Sequence, residues 1–275
     1  MRRLSGFVVV SLSVSMSCAP PARVDAGADA TDAGGAFDGG ATGDGGVVDG
    51  GSLDGGVVDG GLVDAGHDAG GGALAGFGVI SGPCGVLDDE LTENAPSFTR
   101  NAIDFGTDAW DDADYDALTA GGQEIIDDGN AGGSSLLSEV FAFEVLARCE
   151  GAQLTKTETE IVYTDAQGKI TDLLVHTGGL PIGVSVTRAV AFPFDDPYTV
   201  AQARALLEQK LQGVLDSTAN VTAADGWQKQ ILSVIAYAPE HADALAVAWA
   251  AIDASLRADT IVYVTVSNGD DGFLY

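Results

Sequence analysis

Five consecutive segments within residues 134–215 decide the fold. Their apolar residues follow two patterns, every third or fourth position as in helices and every second position as in strands. The segments are SSLLSEVFAFEVLARCEG (134–151), QLTKTETEIVY (153–163), KITDLLVHT (169–177), LPIGVSVTRAVAF (180–192) and TVAQARALLEQKLQGVL (199–215). The first and last segments predict helices, and the three between them predict strands joined by hairpin turns. This order is typical of a small α/β core.

The sequence after this stretch extends the core. Residues 229–236 (KQILSVIA) and 260–267 (TIVYVTVS) predict two more strands, and residues 241–257 predict a helix between them. Apolar residues cover most of the circumference of the helix at 135–150, so we expect this helix to be buried against a sheet. The predicted fold class is therefore α/β, in the order α-β-β-β-α-β-α-β, with a mixed central sheet flanked by helices.

Residues 1–18 predict an export signal. They combine a basic start with an apolar run that ends just before Cys18, and the run is too short to remain as a membrane-spanning helix. The segment resembles a bacterial lipoprotein signal, which implies that Cys18 is lipidated and becomes the first residue of the mature protein. An ordinary secretory signal cleaved nearby is the alternative. The resemblance implies a lipid-anchored location in the bacterial cell envelope, with the membrane as one partner and an envelope protein as a possible second one.

Residues 19–72 predict a disordered linker. They are almost entirely Asp, Gly, Ala and Val, with an Asp at every fifth position over part of their length. Gly-rich sequence with regularly spaced like charges cannot bury enough apolar surface to offset the entropy lost on ordering. Repeated Asp-Gly-Gly also occurs in calcium-binding β-rolls, but the repeat of the roll is longer, which favours a spacer. Residues 73–275 then form one domain, with a loop-rich lead-in at 73–133 and a core at 134–275.

The domain is strongly acidic. Of the 41 Asp and Glu and the 12 Lys and Arg of the chain, 31 acidic and nine basic residues fall in the domain, for a net charge near −22. A protein that binds nucleic acid needs clustered lysines and arginines to displace counterions from the phosphates, and no such cluster is present in the sequence. The charge therefore argues against a long nucleic-acid duplex as a partner and fits a soluble extracytoplasmic domain.

The domain contains two cysteines, Cys84 and Cys149. In an oxidising compartment an unpaired exposed thiol is a liability, and two residues allow a single pairing, so a disulfide is one prediction. The alternative is that Cys149, at the end of an apolar helix, packs as a small buried hydrophobic residue.

The element order and the carboxylates of the first helix and second strand are similar to the restriction-endonuclease-like PD-(D/E)XK fold. That resemblance implies a helix glutamate, a strand aspartate and a (D/E)-x-K pair gathered around Mg²⁺ or Mn²⁺. Glu139 would be the helix glutamate, Glu144 a further ligand, and Asp172 the strand aspartate. The third-strand pair falls on Ser185 and Thr187, which are neither acidic nor basic and would orient water. The implied site is therefore degenerate or altered.

Two charged residues lie where apolar residues are expected. Asp172 is predicted to interrupt the second strand between Ile170 and Leu174, where a carboxylate needs a partner or a metal. Lys210 lies on the apolar stripe of its helix. In the nuclease-like fold the lysine can migrate to this helix, which implies that Lys210 stabilises an anionic transition state. The alternatives are that Asp172 forms a structural pair with Arg188 or Lys210, and that the Lys210 head reaches solvent.

Three runs within 131–275 are KTETE (156–160), GVSVTRA (183–189) and LLEQKLQG (206–213). They resemble an uncharacterised family of fungal and bacterial genomes, which implies a shared domain and no particular reaction. Two functional hypotheses follow. In the first, the chain is a tethered extracytoplasmic lipoprotein whose nuclease-like, degenerate domain acts as a binding or envelope-interaction module. In the second, the domain is a metal-dependent phosphodiester hydrolase with an altered site.

Overall fold

A computed structural model describes residues 75–131, 133–194 and 196–275. The predicted signal segment with Cys18 and the predicted linker at 19–72 lie outside these residues, so the lipid anchor and the linker stay predictions. Among the helices of the described part of the chain, none is long and apolar enough to cross a membrane.

Seven strands and five helices make up the described chain, connected by turns and short 3-10 helices. In chain order they are β1 (Val79–Ser81), β2 (Ser97–Asp104), α1 (Ala120–Asp128), α2 (Leu136–Glu150), β3 (Gln153–Thr157), β4 (Leu173–Thr177), β5 (Leu180–Ala189), α3 (Val200–Asn220), β6 (Lys229–Ala236), α4 (Pro239–Ala250), α5 (Ala254–Arg257) and β7 (Ile261–Asn268). The 3-10 helices are Asp89–Leu91, Asp112–Ala117 and Gly272–Leu274.

The strands form one sheet in the order β1-β2-β7-β6-β5-β4-β3. The four strands β2, β7, β6 and β5 run parallel, and antiparallel strands flank them on both sides. Strands β3, β4 and β5 form the predicted meander, and α3 connects β5 to the parallel strand β6 as a crossover helix. The predicted mixed sheet flanked by helices is confirmed. The predicted element order is found from α2 to β7, with α4 and α5 in place of one helix.

Helices cover both faces of the sheet. On one face α2 packs through residues such as Phe141 and Leu146, and on the other face α3 and α4 pack through residues such as Leu207 and Leu245. Each of these side chains is at most 1% exposed, and burying one contributes about 1.5–3 kcal/mol. Because α2 is buried on nearly all sides, its sequence is apolar around the whole helix, as predicted.

Two strands lie in the lead-in that was predicted to be loop-rich. β1 has three residues, and β2, which pairs with β7 inside the sheet, carries Arg100 and Asn101 at its centre. The neighbouring elements satisfy both polar side chains. Asn101 accepts from the hydroxyl of Thr265 at 2.8 Å and donates to that of Tyr263 at 3.0 Å, and Arg100 forms a salt bridge of 2.6 Å with Asp243. The sequence did not predict β2 because these partners lie far away in the chain.

Two predicted elements end earlier than expected. The first predicted strand ends at Thr157, because the chain turns there and the backbone N–H of Glu160 donates to the carbonyl of Thr157 at 3.1 Å. The helix predicted at 241–257 is divided into α4 and α5. Asp253 begins α5 by accepting hydrogen bonds from the backbone N–H and the hydroxyl of Ser255, so the chain cannot continue α4 through this position.

A disulfide joins Cys84 of the lead-in to Cys149 near the end of α2, with 4.7 Å between the two Cα atoms. Beside it, the carboxylate of Glu150 accepts hydrogen bonds of 3.0–3.2 Å from three consecutive backbone N–H groups at 85–87. The covalent link and these charged hydrogen bonds attach the lead-in to α2. Of the two predicted alternatives for Cys149, the structure contains the disulfide.

Candidate ligand cleft at Asp172

Asp172 lies immediately before β4, where the pairing of β4 with β5 ends. Its backbone N–H donates to the carbonyl of Val184 at 3.1 Å, and its Oδ2 accepts from the backbone N–H of Val186 at 2.6 Å. The carboxylate takes the place of a strand carbonyl and satisfies an N–H at the open edge of β5. The prediction that Asp172 interrupts the strand was wrong, since β4 begins one residue later, at Leu173.

Hydroxyl groups hold the turn that precedes Asp172. Tyr163 Oη accepts from the backbone N–H of Thr171 at 2.7 Å, and the hydroxyls of Thr171 and Ser185 are 2.9 Å apart. Burial raises the pKa of Tyr163 to about 12, so this hydroxyl stays protonated at neutral pH. Because strand side chains alternate, Thr187 lies on the same face of β5 as Ser185, two positions further on, where it is buried.

A cleft of about 350 Å³ opens between the start of β4, the middle of β5 and α3. It is lined by Gly168, Lys169, Ile170, Asp172, Ser185, Val186, Gln209, Lys210 and Gly213. Three of the residues predicted to form a site, Asp172, Ser185 and Lys210, therefore meet on one side of the sheet. The volume of the cleft lies in the range of small-molecule sites.

Lys210 reaches the cleft from α3. It lies on the same side of the helix as Ala203 and Leu207, which are fully buried, and is itself half-buried. Among the described residues its ammonium group has no salt bridge within 4.0 Å. Its charge nevertheless lowers the pKa of Asp172. The two groups therefore interact across the cleft without direct contact.

The surroundings of Asp172 raise its pKa from 3.8 to about 7. Burial is the largest cause and is opposed by the hydrogen bond from Val186. The negative charges of Glu139 and Glu158 raise the pKa further, and the positive charge of Lys210 lowers it. Asp172 thus gains or loses a proton near neutral pH, the range in which a carboxyl group serves proton transfer or a pH-dependent contact with a ligand.

Glu139 is buried on α2, where Asn130 Nδ2 donates to its Oε1 at 3.0 Å. Burial raises the pKa of Glu139, and the hydrogen bonds from Asn130 and Ser135 act in the opposite direction. The charge of Glu139 reaches Asp172, as described above, but Glu139 is not among the residues that line the cleft. The predicted helix glutamate therefore lies outside the cleft.

Glu144 caps helix α1. Its Oε1 accepts from the backbone N–H of Thr119 at 2.9 Å and from the Thr119 hydroxyl at 2.6 Å, and Thr119 is the N-cap residue of α1. A carboxylate at this position is stabilised by the positive end of the helix dipole. One oxygen of Glu144 therefore has a structural role at the start of α1, and the predicted role of Glu144 as a metal ligand stays a prediction.

A different group of carboxylates could hold a divalent cation. One oxygen each of Glu124, Asp128 and Glu160 lie within 4.8 Å of one another, and all three residues are exposed. Thr157 supports the group, since its hydroxyl donates to Asp128 at 3.0 Å and its backbone N–H donates to Glu160 at 3.1 Å. Three carboxylate oxygens are ligands that Mg²⁺ and Mn²⁺ accept.

The predicted ligands Glu139, Asp172 and Glu144 do not fit a magnesium or manganese ion. Among the described residues, the group of three whose ligand oxygens come within 4.8 Å of one another does not include any of them. Each is engaged separately, Glu139 by an asparagine, Asp172 by a strand N–H and Glu144 by the α1 cap. These three predicted ligands therefore do not come together as one cation site in the described part of the chain.

The sequence did not predict two polar residues that line the cleft, Lys169 and Gln209. Lys169 follows the turn at 165–168 and is exposed, and Gln209 is exposed on α3. Neither position interrupts an apolar pattern, so periodicity does not single them out. Their closeness in sequence to predicted site residues could have indicated them, because Gln209 is next to Lys210 and Lys169 lies three positions before Asp172.

No protein-family model matches the chain. A curated relative, the AAC-rich mRNA clone AAC4 protein of Dictyostelium discoideum, is 44% identical over 164 residues, which are 58% of this chain and 24% of the relative. The chain thus spans less than a third of the length of that relative. A solved structure of SfsA from Pyrococcus furiosus in complex with Ca²⁺ is 16% identical, with a TM-score of 0.24 over 50% of this chain and 58% of that one. We draw no functional conclusion from either similarity.

Proposed function

We propose that the chain is a lipid-anchored protein of the bacterial cell envelope and that its domain is a binding module with its ligand site in the cleft at Asp172. One observation carries the binding role. The cleft combines Asp172 and Lys210 with the hydroxyl of Ser185. Ser185 occupies the position at which a metal-dependent nuclease of the predicted type needs a metal-binding carboxylate. Opposite charges and a hydroxyl around a small volume are suited to holding a polar small molecule.

Two features support the lipid anchor. Cys18 lies just after the apolar run of the predicted export signal. Each methylene of an attached acyl chain that enters the membrane contributes about 0.8 kcal/mol. The disulfide between Cys84 and Cys149 is the kind of bond that persists in oxidising compartments outside the cytoplasm. An anchored domain with a ligand cleft would also be placed to contact another envelope protein.

Cell fractionation tests the anchor. The full chain, expressed in a bacterial host, should sediment with membranes and enter the detergent phase on phase separation. Cys18→Ser should move it to the soluble fraction, and Ser17→Ala, which changes the neighbouring position and keeps the cysteine, should leave it on the membrane. A wild-type protein found in the aqueous phase would disprove the anchor.

A metal-dependent phosphodiester hydrolase is the second candidate function. The observation that favours it is the group of carboxylates at Glu124, Asp128 and Glu160. Assays with Mn²⁺ and a chromogenic phosphodiester, bis(4-nitrophenyl) phosphate, separate the two functions. A binding module should release no more nitrophenol than its Glu160→Gln variant. Release by the wild type that depends on Mn²⁺ and is abolished by Glu160→Gln would establish the hydrolase instead.

A further inference from the structure

Most cations of the domain are already engaged. Its nine lysines and arginines all lie in the described part of the chain, and seven of them bind a group of the domain itself. These are Arg100, Lys156 and Arg204 in salt bridges, Arg148, Arg188 and Lys229 on backbone carbonyls, and Arg257 over the ring of Trp249. The two side chains without a hydrogen bond or salt bridge to any described residue are Lys169 and Lys210.

These two lysines line the same cleft. Lys169 enters it from the loop before β4, and Lys210 enters it from α3. In a domain with 31 acidic residues and nine basic ones, carboxylates for pairing are abundant, so two unpaired lysines at one place are a local exception to the charge pattern. A bound anion in the cleft would be attracted by both ammonium groups.

The other polar side chains of the cleft restrict the chemistry of a ligand further. One oxygen of Asp172, Oδ2, is occupied by the backbone N–H of Val186, and the described residues provide no hydrogen bond to Oδ1. Ser185 and Gln209 line the cleft as well. Oδ1 therefore remains to accept a hydrogen bond from a hydroxyl group of a ligand, and the amide of Gln209 offers a donor and an acceptor.

We propose that the cleft binds a small phosphate monoester that also carries hydroxyl groups, held by Lys169 and Lys210 at the phosphate and by Asp172 at a hydroxyl. This proposal rests on the proposed binding function and names its ligand class. A phosphate monoester carries a charge of about −1.5 to −2 at neutral pH, which two ammonium groups neutralise. Lysine binds phosphate as a point charge, so the two flexible side chains need no fixed fork geometry.

The same observations oppose a polymeric nucleic acid. A polymer needs a continuous basic track, whereas the two unengaged lysines lie in a single cleft of about 350 Å³. The surrounding domain has a net charge near −22 and would repel the neighbouring phosphates of a polymer. A single terminal phosphate group avoids this repulsion because the rest of the ligand is uncharged.

Calorimetric titration of the purified full chain in detergent micelles tests the proposal. The probes are glycerol 3-phosphate, inorganic phosphate and glycerol, and EDTA removes divalent cations so that the exposed carboxylates cannot contribute. Glycerol 3-phosphate should bind more tightly than inorganic phosphate, and glycerol should not bind. Changing both lysines, Lys169→Gln with Lys210→Gln, should weaken binding by at least about tenfold, the loss expected from removing charged hydrogen bonds.

Arg204→Gln is the matched control. It removes one positive charge from α3, and the side chain of Arg204 pairs with Glu208 outside the cleft. This variant should keep the affinity for glycerol 3-phosphate within about twofold of the wild type, because charges outside the cleft are screened by solvent and salt. An equal loss in this control and in the double lysine variant would overturn the proposal, since binding would then follow net charge.

Three other results of the titration would also overturn the proposal. If neither glycerol 3-phosphate nor inorganic phosphate binds, the proposed ligand class is wrong. The fractionation result for Cys18→Ser tests the lipid anchor separately and would not be affected. Binding of glycerol that survives the lysine changes would likewise overturn the phosphate assignment and would leave the cleft as a binding site for a neutral ligand. Binding of single-stranded DNA in place of glycerol 3-phosphate would overturn the restriction to small ligands.

Discussion

Lys210 and Asp172 face one cleft from different elements, one from α3 and the other from the residue before β4, without forming a salt bridge. Asp172 instead directs one oxygen to the backbone N–H of Val186. Two opposite charges held apart in this way leave space for a third group. This relationship distinguishes the cleft from a structural ion pair such as that between Lys156 and Asp225, whose charged atoms are 2.8 Å apart.

Neutralising Asp172 should stabilise the protein at alkaline pH. Its folded pKa of about 7 lies above the ordinary value of 3.8, so stability from this group is fully present below about pH 4 and is lost as the pH rises to 7. Asp172→Asn removes the ionised form and keeps an oxygen for the N–H of Val186. We expect the variant to gain about 1–4 kcal/mol in the free energy of unfolding above about pH 8, where one pKa unit corresponds to about 1.4 kcal/mol.

The gain should shrink as the pH falls and disappear below about pH 4, where the carboxyl is protonated in the unfolded protein as well as in the folded one. Urea unfolding of both proteins at several pH values measures it. A variant that is strongly destabilised at every pH would show that the charge of Asp172 holds the turn in place. Asp172 would then be a structural residue and not a carboxylate available to a ligand.

Asp225→Asn should have the opposite effect. The hydrogen bond from Lys156 is the largest cause that lowers the pKa of Asp225, and the bond from the backbone N–H of Val162 adds to it. A lowered folded pKa adds stability above the ordinary pKa, and this stability is lost as the pH falls through the folded value. We expect Asp225→Asn to lose about 1 kcal/mol at neutral pH, because solvent screens this partly exposed pair, with a smaller loss in acid.

Measured in the same urea series, the two substitutions form a matched pair, since each replaces one carboxylate with an amide. If both shift stability in the same direction at neutral pH, the contrast between a cleft carboxylate and a structural carboxylate is wrong.

Removing the disulfide should destabilise the domain. Cys84 and Cys149 are 65 positions apart, and closing a loop of this length restricts the unfolded chain by about 4 kcal/mol in the chain-entropy description. We expect the double variant Cys84→Ser, Cys149→Ser to lose a free energy of unfolding of this order, and addition of a thiol reductant to do the same to the wild type. Reductant should leave the stability of the double variant unchanged, and an equal response of both proteins would contradict a role for the bond.

A divalent cation should bind at the exposed carboxylates and not through Glu144. Mn²⁺ at millimolar concentration should raise the melting temperature of the wild type, because a ligand of the native state stabilises it by mass action. Glu160→Gln should abolish this increase, since Glu160 belongs to the group within 4.8 Å. Glu144→Gln should retain the increase, because Glu144 caps α1 and its substitution keeps an oxygen for Thr119.

Scanning calorimetry with and without Mn²⁺ measures these shifts. Loss of the Mn²⁺ response in Glu144→Gln with retention in Glu160→Gln would show that the cation binds at Glu144, as the sequence predicts, and not at the exposed carboxylates.

The predicted core was accurate where side-chain patterns are regular. Residues 229–236 are buried throughout as a central strand, and the stripe of α3 that contains Leu207 faces the sheet. Asp172 and Lys210 were recognisable because each places a charge on an otherwise apolar pattern. Strand β2 was not recognisable in this way. Its central residue Asn101 is buried, and the hydroxyls that satisfy it belong to β7.

The sequence by itself determined the order of helices and strands from α2 to β7, apart from the division of one helix into α4 and α5. It also determined the α/β class and the acidic charge, because periodicity and composition depend on neighbouring residues alone. The tertiary structure decided which charges meet. It placed Glu144 at the start of α1, Glu160 in a group of carboxylates, and Lys169 in the cleft that Lys210 also lines. Each of these outcomes depends on a distance in space between segments far apart in the chain, and such distances are set only when the sheet is assembled and its helices pack on both faces.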